Sequence, residues 1–499
     1  MAVAHGREDA VRSRDGRREG RRRGGRGVGR WFGAKVVGTG GGGAHALARG
    51  PGPSRRAAAA RAYLTRLTAA AAAMALLLLP AGRPAGAAPA PSWTTYHGSM
   101  LRYGTLAEPP VRGLAPGWSS PVLDGAVYAQ PIWRGNTAYV ATENDSVYAL
   151  SLRTGRIEWR RHLGTPVPLT DLPCGDIDPL GITGTPVLAR GRLYVVAELM
   201  PGVHRLFALS PSTGAVEGSW SADPPGSHPV DQQQRGALAY ENGTVYIPLG
   251  GLAGDCAAYV GRVVAIRPGR PMRAYAVPTA REGAIWAPAG ITIAPDGNLF
   301  VATGNSASTT TYDYGDSVIE LTPALHVVGH WGPTDFAMLN RDDLDLGSTA
   351  PMVLPGGRVF AIGKWGEGIL LRQSHLGGLG RPLYEAPVCQ AAFGGDAYGA
   401  GLLYVPCENG LFALRLAGSR FSVAWHSAAW FAGPPVVGGG AVFTVDIGDS
   451  RLEVLDARTG APIAAAPLAG TVHFDGATLA PGRVLVSAGH RVVAFTLRR

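Results

Sequence analysis

Lysine is the scarcest basic residue of this chain. Of its 46 Lys and Arg, only Lys35 and Lys364 are lysines. A chain that writes nearly every cation as Arg keeps one ammonium in its body, at Lys364. A compact, strongly hydrated ammonium does different chemistry from a planar guanidinium. The four cysteines, Cys174, Cys256, Cys389 and Cys407, lack the spacing of a Cys-x-x-Cys metal or redox site or of a Cys-x-x-Cys-His haem site. They fit two disulfides in an exported protein. Three pairings are open; Cys389 and Cys407 flank an apparent hairpin, which leaves Cys174 with Cys256. Other chemistries find little footing. The chain has no Gly-x-Ser-x-Gly elbow, no phosphate-cradling Gly-Lys-Ser/Thr loop and no His-Glu-x-x-His helix. The carboxylates are scattered, so no paired-acid glycosidase site can be located. His326 and His330 fall near a strand and turn, where packing or solvent exposure is expected.

The elements that must position Lys364 begin well after the N-terminus. Residues 1–87 hold 17 basic and 4 acidic side chains, against 29 and 32 in residues 88–499. The net charge of +10 is therefore a property of the leader, and the mildly acidic body argues against a nucleic-acid partner. Residues 1–54 are an Arg/Gly-rich run that repels itself and buries nothing, read either as a disordered leader or as sequence upstream of the true start. Residues 55–87 have the layout of a signal peptide. Arg55, Arg56, Arg61 and Arg66 flank an apolar run from Leu67 to Leu79, Pro80 breaks it, and Ala85-Gly86-Ala87 offers a cleavage site. The run is too short to span a bilayer core, which needs about 20 residues. The expectation is a soluble protein, not membrane-spanning, that is secreted or held outside the cell envelope.

The chain carries 72 glycines and 39 prolines, and in the body such residues punctuate short β-branched and aromatic runs. The clearest unit runs from Val127 to Trp159. Four runs are separated by turns at Gly135-Asn136, near Asn144-Asp145 and at Thr154-Gly155, and Ile157-Glu158-Trp159 closes the unit. Copies begin near Gly184, Arg235, Trp286, Ser348, Gln390, Gly433 and Ala477. The last copy has three strands, and the stretch around Trp118 can supply the fourth. Eight units of roughly 50 residues predict an all-β, eight-bladed β-propeller over residues 93–499, with four-stranded antiparallel blades closed by an N-terminal strand.

The run Ala149-Leu150 to Thr154-Gly155 and Trp159 resembles the tryptophan-docking repeat of pyrroloquinoline-quinone (PQQ) propellers, and Trp93-Thr94-Thr95-Tyr96-His97-Gly98 resembles the usual start of such domains. The resemblance covers roughly residues 93–499. Within the dehydrogenase branch of that family it implies PQQ and Ca²⁺ as cofactors. Trp286 then resembles the floor beneath the quinone. Thr303-Gly304-Asn305 resembles the segment whose Asn binds calcium, and Gly254-Asp255-Cys256 lies where the family places its second metal carboxylate. Trp331-Gly332-Pro333-Thr334-Asp335 resembles the segment ending in the catalytic Asp, Asp343-x-Asp345-x-Gly347 fits the stretch that follows it, and Lys364 stands at the quinone contact. The vicinal cysteine pair found beside the quinone in many relatives is missing. These implications point to a PQQ- and calcium-dependent alcohol or sugar dehydrogenase that passes electrons to a separate acceptor. The alternative is a cofactor-free binding or assembly scaffold, because the same repeat builds both.

Overall fold

The structure, a computed structural model, describes residues 91–499; the Arg/Gly-rich leader expected over residues 1–54 and the signal peptide expected over residues 55–87 lie outside the described residues. Eight antiparallel sheets follow one another along the chain. Blade 1 comprises Ile132–Arg134, Thr137–Thr142, Ser146–Ser151 and Ile157–His162, with Ser92–Trp93 added along its inner edge. Blades 2 to 7 begin at Val187, Ala239, Thr292, Met352, Ala397 and Val436. Blade 8 takes Ala477–Ala480, Arg483–Ala488 and Arg491–Arg498 from one end of the domain and Gly113–Ser119 from the other, in antiparallel register from Gly113 opposite Arg498. This is the eight-bladed propeller that the repeat predicts. Among the described residues, helix is confined to the six-residue Phe336–Arg341 and a few 3-10 turns. Among the described residues, no helix is long and apolar enough to cross a membrane.

Burial within a blade explains its composition. The second and third strands of blade 1 are buried almost throughout, so both faces can be apolar, whereas its outer strand alternates between exposed and half-buried. Tryptophans then tie neighbouring blades together. Trp118, Trp159 and Trp425 lie on the outer strands of blades 8, 1 and 6. Each donates its indole N–H to a carbonyl of the next blade, at Leu152, Pro211 and Ala457. Each also lies over a glycine with positive φ: Gly155, Gly214 and Gly460 respectively. A Cβ on any of these would stand 2.3–2.6 Å from the indole ring, so the Thr-Gly turn serves both the bend and the dock.

Inside the ring, the segment after Trp93 runs past the innermost strands. Its carbonyls at Thr94, Met100, Tyr103 and Gly104 accept from Leu188, Ile293, Tyr398 and Val437. The buried Arg102 guanidinium donates to the carbonyls of Leu238 and Ile291. The centre of the ring is therefore packed.

Both disulfides form as expected, Cys174–Cys256 with a Cα separation of 6.2 Å and Cys389–Cys407 with 6.3 Å. The hairpin argument for the second needs correcting. Cys389 lies in the link after the outer strand of blade 5, and Cys407 ends the second strand of blade 6. An isolated bridge between Ala392 and Cys407 brings the two together.

Candidate functional site

Alternation of strand direction decides which loops share a face. Within each blade the loop leaving the second strand and the link entering the first strand emerge at the same end of the ring. Asp255 follows the second strand of blade 3, Asn305 that of blade 4 and Lys364 that of blade 5. Trp286 and Asp345 lie on the links entering the first strands of blades 4 and 5. All five line one cavity of about 720 Å³.

Lys364 is the centre of this arrangement. Its ammonium lies 2.5 Å from Asp345 Oδ2 and 2.8 Å from Asp343 Oδ1, and 5.7 Å from the centroid of the Trp286 ring. The other Asp345 oxygen, Oδ1, accepts from the Asn305 backbone N–H at 2.6 Å. Two glycines permit this contact. A Cβ on Gly304 would stand 2.3 Å from Asp345 Oδ1 and 3.2 Å from Trp286 Nε1, and one on Gly347 would strike the Thr303–Gly304 backbone. The Thr-Gly-Asn loop and the Asp-x-Asp-x-Gly link are thus two halves of one contact.

Burial pushes the Asp345 carboxyl up to about 6, against the pull of the Lys364 ammonium and the Asn305 N–H, which favour the ionised form. Burial disfavours the Lys364 ammonium, yet Asp345 and Asp343 outweigh it and raise its pKa. Behind the pair, Asp316 is buried and raised well above the ordinary carboxylate range; it accepts from the Leu346 N–H. Asp255 accepts from the Tyr259 hydroxyl at 2.5 Å. The neighbouring Cys174–Cys256 bridge pins this loop to the link ahead of blade 2.

Asp335 does not join the site. It is exposed and begins the short Phe336–Arg341 helix, its carboxylate accepting from the Thr334 hydroxyl. The physical reason is radial. Asp335 follows the outer strand of blade 4, at the rim, whereas the chain must return to the axis to begin blade 5, and that return delivers Asp345. The Asp343-x-Asp345-x-Gly347 motif is legible in the sequence, and it is Asp345, ten residues beyond Asp335, that the structure brings to Lys364. A second group went unnoticed: Arg235, Phe393, His473 and Phe474 also line the cavity, on links entering the first strands of blades 3, 6 and 8. Position just before a blade's first strand is the signal that would have found them.

Residues 111–346 match the family described as outer membrane protein assembly factor BamB, a PQQ-repeat family. The matched stretch carries the PQQ repeat, and the domain is an eight-bladed β-propeller. Among solved structures, this propeller resembles the quinohemoprotein alcohol dehydrogenase of Pseudomonas putida HK5, with a TM-score of 0.65 at 15% identity over 82% of this chain and 80% of that one. The quinohemoprotein alcohol dehydrogenase of Comamonas testosteroni gives 0.63 at 19% identity, covering 83% and 81% of the two chains. A europium-containing methanol dehydrogenase gives 0.63 at 14% identity, covering 81% and 98%. At these identities the likeness is one of fold. No curated protein matches the propeller in sequence.

Proposed function

We propose that this propeller is a PQQ-dependent dehydrogenase that oxidises a CH–OH group and hands its electrons to a separate acceptor. The observation that carries the reading is the meeting of Trp286, Asn305, Lys364 and Asp345 in one cavity, three of them being positions the family resemblance names.

The residues present fit the quinone. Trp286 lines the cavity with an indole ring, and Arg235, Arg281 and Lys364 set cationic groups around the same cavity, suited to the carboxylates of PQQ. For calcium the fit is incomplete. Asn305, Asp255 and Asp345 are hard oxygen donors, but Asp255 is engaged by Tyr259 and Asp345 by Lys364. Among the described residues no three His, Cys, Asp or Glu side chains gather to hold a metal, so no step is derived through one.

When bound, PQQ supplies the two-electron acceptor that takes the C–H hydrogen with its electron pair. The protein's part is to receive the proton. With a pKa of about 6, Asp345 is largely ionised at neutral pH and close enough to it to accept a hydroxyl proton efficiently. Lys364 holds that carboxylate in place and favours its ionised form, and the burial of Asp345 limits competing water. The product is the carbonyl compound, and Asp345 releases its proton to solvent afterwards.

The test is to add PQQ, with and without Ca²⁺, to the purified full chain. Quinone absorbance should co-elute with protein, alcohols should reduce an added dye, and Asp345→Asn should abolish reduction while binding survives. Absence of binding at tens of micromolar PQQ, or turnover indifferent to Asp345→Asn, would return the protein to a cofactor-free scaffold, the second reading that the match to the BamB description supports. Export completes the proposal: residues 55–87 direct secretion and are removed near Ala87. N-terminal sequencing of secreted protein checks it, and an intact N-terminus would overturn it.

A further inference from the structure

Charge is sorted between the two ends of the propeller. The links and loops at the cavity end expose Asp171, Asp178, Asp335, Asp342, Asp343 and Glu408, against the exposed Arg281 and Arg341. The opposite end is built from the turns between first and second strands and between third and fourth. There blade 1 exposes Arg134, Arg153 and Arg156, blade 2 exposes Arg190, and blade 8 contributes Arg112 and Arg498. Among the described residues, these six arginines make no ion pair, whereas the neighbouring Arg192 is held by Glu217 at 2.8 Å. The other acids of this sector are already engaged: Glu158 accepts from the Thr137 hydroxyl and Glu108 from the Gly482 N–H. Ile157 and Val216, at the starts of the outer strands of blades 1 and 2, are exposed at the same end.

An arginine fork binds phosphate oxygens in pairs, and unpaired forks gathered on one face sum to a field that draws an anionic surface. Aliphatic side chains beside them gain nothing from a free phosphate or from the hydrophilic backbone of a nucleic acid, but they enter the headgroup boundary of a bilayer. The chain also enters the propeller at this end, since Ser92 pairs opposite Arg134. The apolar run Leu67–Leu79 precedes Ser92 in the chain, so on the export reading this is the end by which the domain is tethered while it crosses. We propose that the arginine end of blades 8, 1 and 2 docks on the anionic lipid headgroups of a bilayer, with the acidic cavity end facing away. The cavity then opens towards soluble partners while the domain stays at the membrane after its signal is removed. The proposal needs neither PQQ nor turnover, so it holds for a dehydrogenase and for a scaffold alike.

Vesicle sedimentation tests this on the full chain. Binding should appear with vesicles of phosphatidylglycerol and phosphatidylcholine in equal parts, be lost on pure phosphatidylcholine, and weaken as salt is raised. Arg134→Gln/Arg156→Gln should weaken it about thirtyfold, the scale of two arginines leaving an anionic surface. Arg153→Gln/Arg190→Gln should repeat the loss, which excludes a folding defect peculiar to one pair. Arg205→Gln/Arg341→Gln removes the same charge from exposed positions towards the cavity end, and should leave binding within about threefold of wild type. All three double variants carry the same residues before Ser92, so the differences between them read the propeller alone. No binding to the anionic vesicles, equal losses at the two ends, or equal binding to pure phosphatidylcholine overturns the proposal. Displacement by millimolar glycerol phosphate also overturns it, by marking a discrete phosphate site. So does a short DNA duplex bound as tightly as the vesicles, which would mark a nucleic-acid face.

Discussion

Blades 1 and 4 use the same four-strand plan for opposite ends. Blade 1 carries the full repeat, has a first strand of three residues followed by three of six, and gives its Trp159 to the Gly214 turn of blade 2. Blade 4 has a first strand of two residues and a long excursion from Thr303 to Ser317 between its second and third strands. Where blade 1 spends residues on docking, blade 4 spends them on Asn305 and on the return segment that carries Asp345. The tryptophan docks at Gly155, Gly214 and Gly460 bind blades 8 to 1, 1 to 2 and 6 to 7, and none of them joins blades 3, 4 and 5, which surround the site. Blade docking and the candidate site are thus divided around the ring, and the repeat that announces the fold is weakest around that site.

The largest effect that tests this division is catalytic. Asp345→Asn should lower dye reduction by about a thousandfold, the scale of a lost general base, with the circular dichroism melt little changed. Next comes Gly214→Ala in the docked half. An alanine there must hold a left-handed φ and displace the Trp159 ring, which we expect to cost about 2–4 kcal/mol in denaturant unfolding. Activity per folded molecule should persist, and a loss of turnover without a loss of stability would break the division. Lys364→Gln should move the acidic limb of the rate profile to higher pH, because the ammonium is what holds the Asp345 carboxyl down towards 6. An unmoved limb would assign that limb to another group. At the small end, Asp335→Asn at the rim should leave turnover within about twofold of wild type, as for an exposed residue remote from the chemistry.

A pH experiment bears on the docked half through its buried titratable groups. Blades 1 and 2 bury Glu143, Asp145, Glu198 and His204 together, with His204 between Glu198 at 3.2 Å and Asp223 at 2.8 Å. Burial pushes Glu143 up to about 7 and Asp145 to about 9. Burial works against charge on His204, yet Glu198 and Asp223 raise its pKa to about 10. All three groups hold protons in the folded state that the unfolded chain releases at lower pH. Stability should therefore fall as pH rises from 7 to 10, and a melting temperature flat across that window would refute these shifts.

What the sequence made legible follows from how local each signal is. The Thr-Gly turn and its tryptophan recur at fixed spacing, so the ring could be counted from Val127 to Ala477. Trp286, Asn305 and Lys364 were legible because each sits one short step from a strand edge, where spacing along the chain and position in space agree. Asp335 and Asp345 differ by ten residues in sequence but by the width of a blade in radius, and linear spacing carries no radius. The second group of lining residues was hidden for another reason. Phe393, His473 and Phe474 come from links in blades far apart in sequence, and only closure of the ring makes them neighbours.

Closure itself has a consequence for how the molecule is made. Gly113–Ser119 emerges early in synthesis, yet its partner strand is Arg491–Arg498. Until that strand arrives, the early one is an orphan edge, open to pairing with another nascent chain. Pro116 removes one of its N–H donors, and the register breaks between Pro116 and Ser119. The imperfect strand that completes the ring is also one that a neighbouring chain would pair with poorly while it waits.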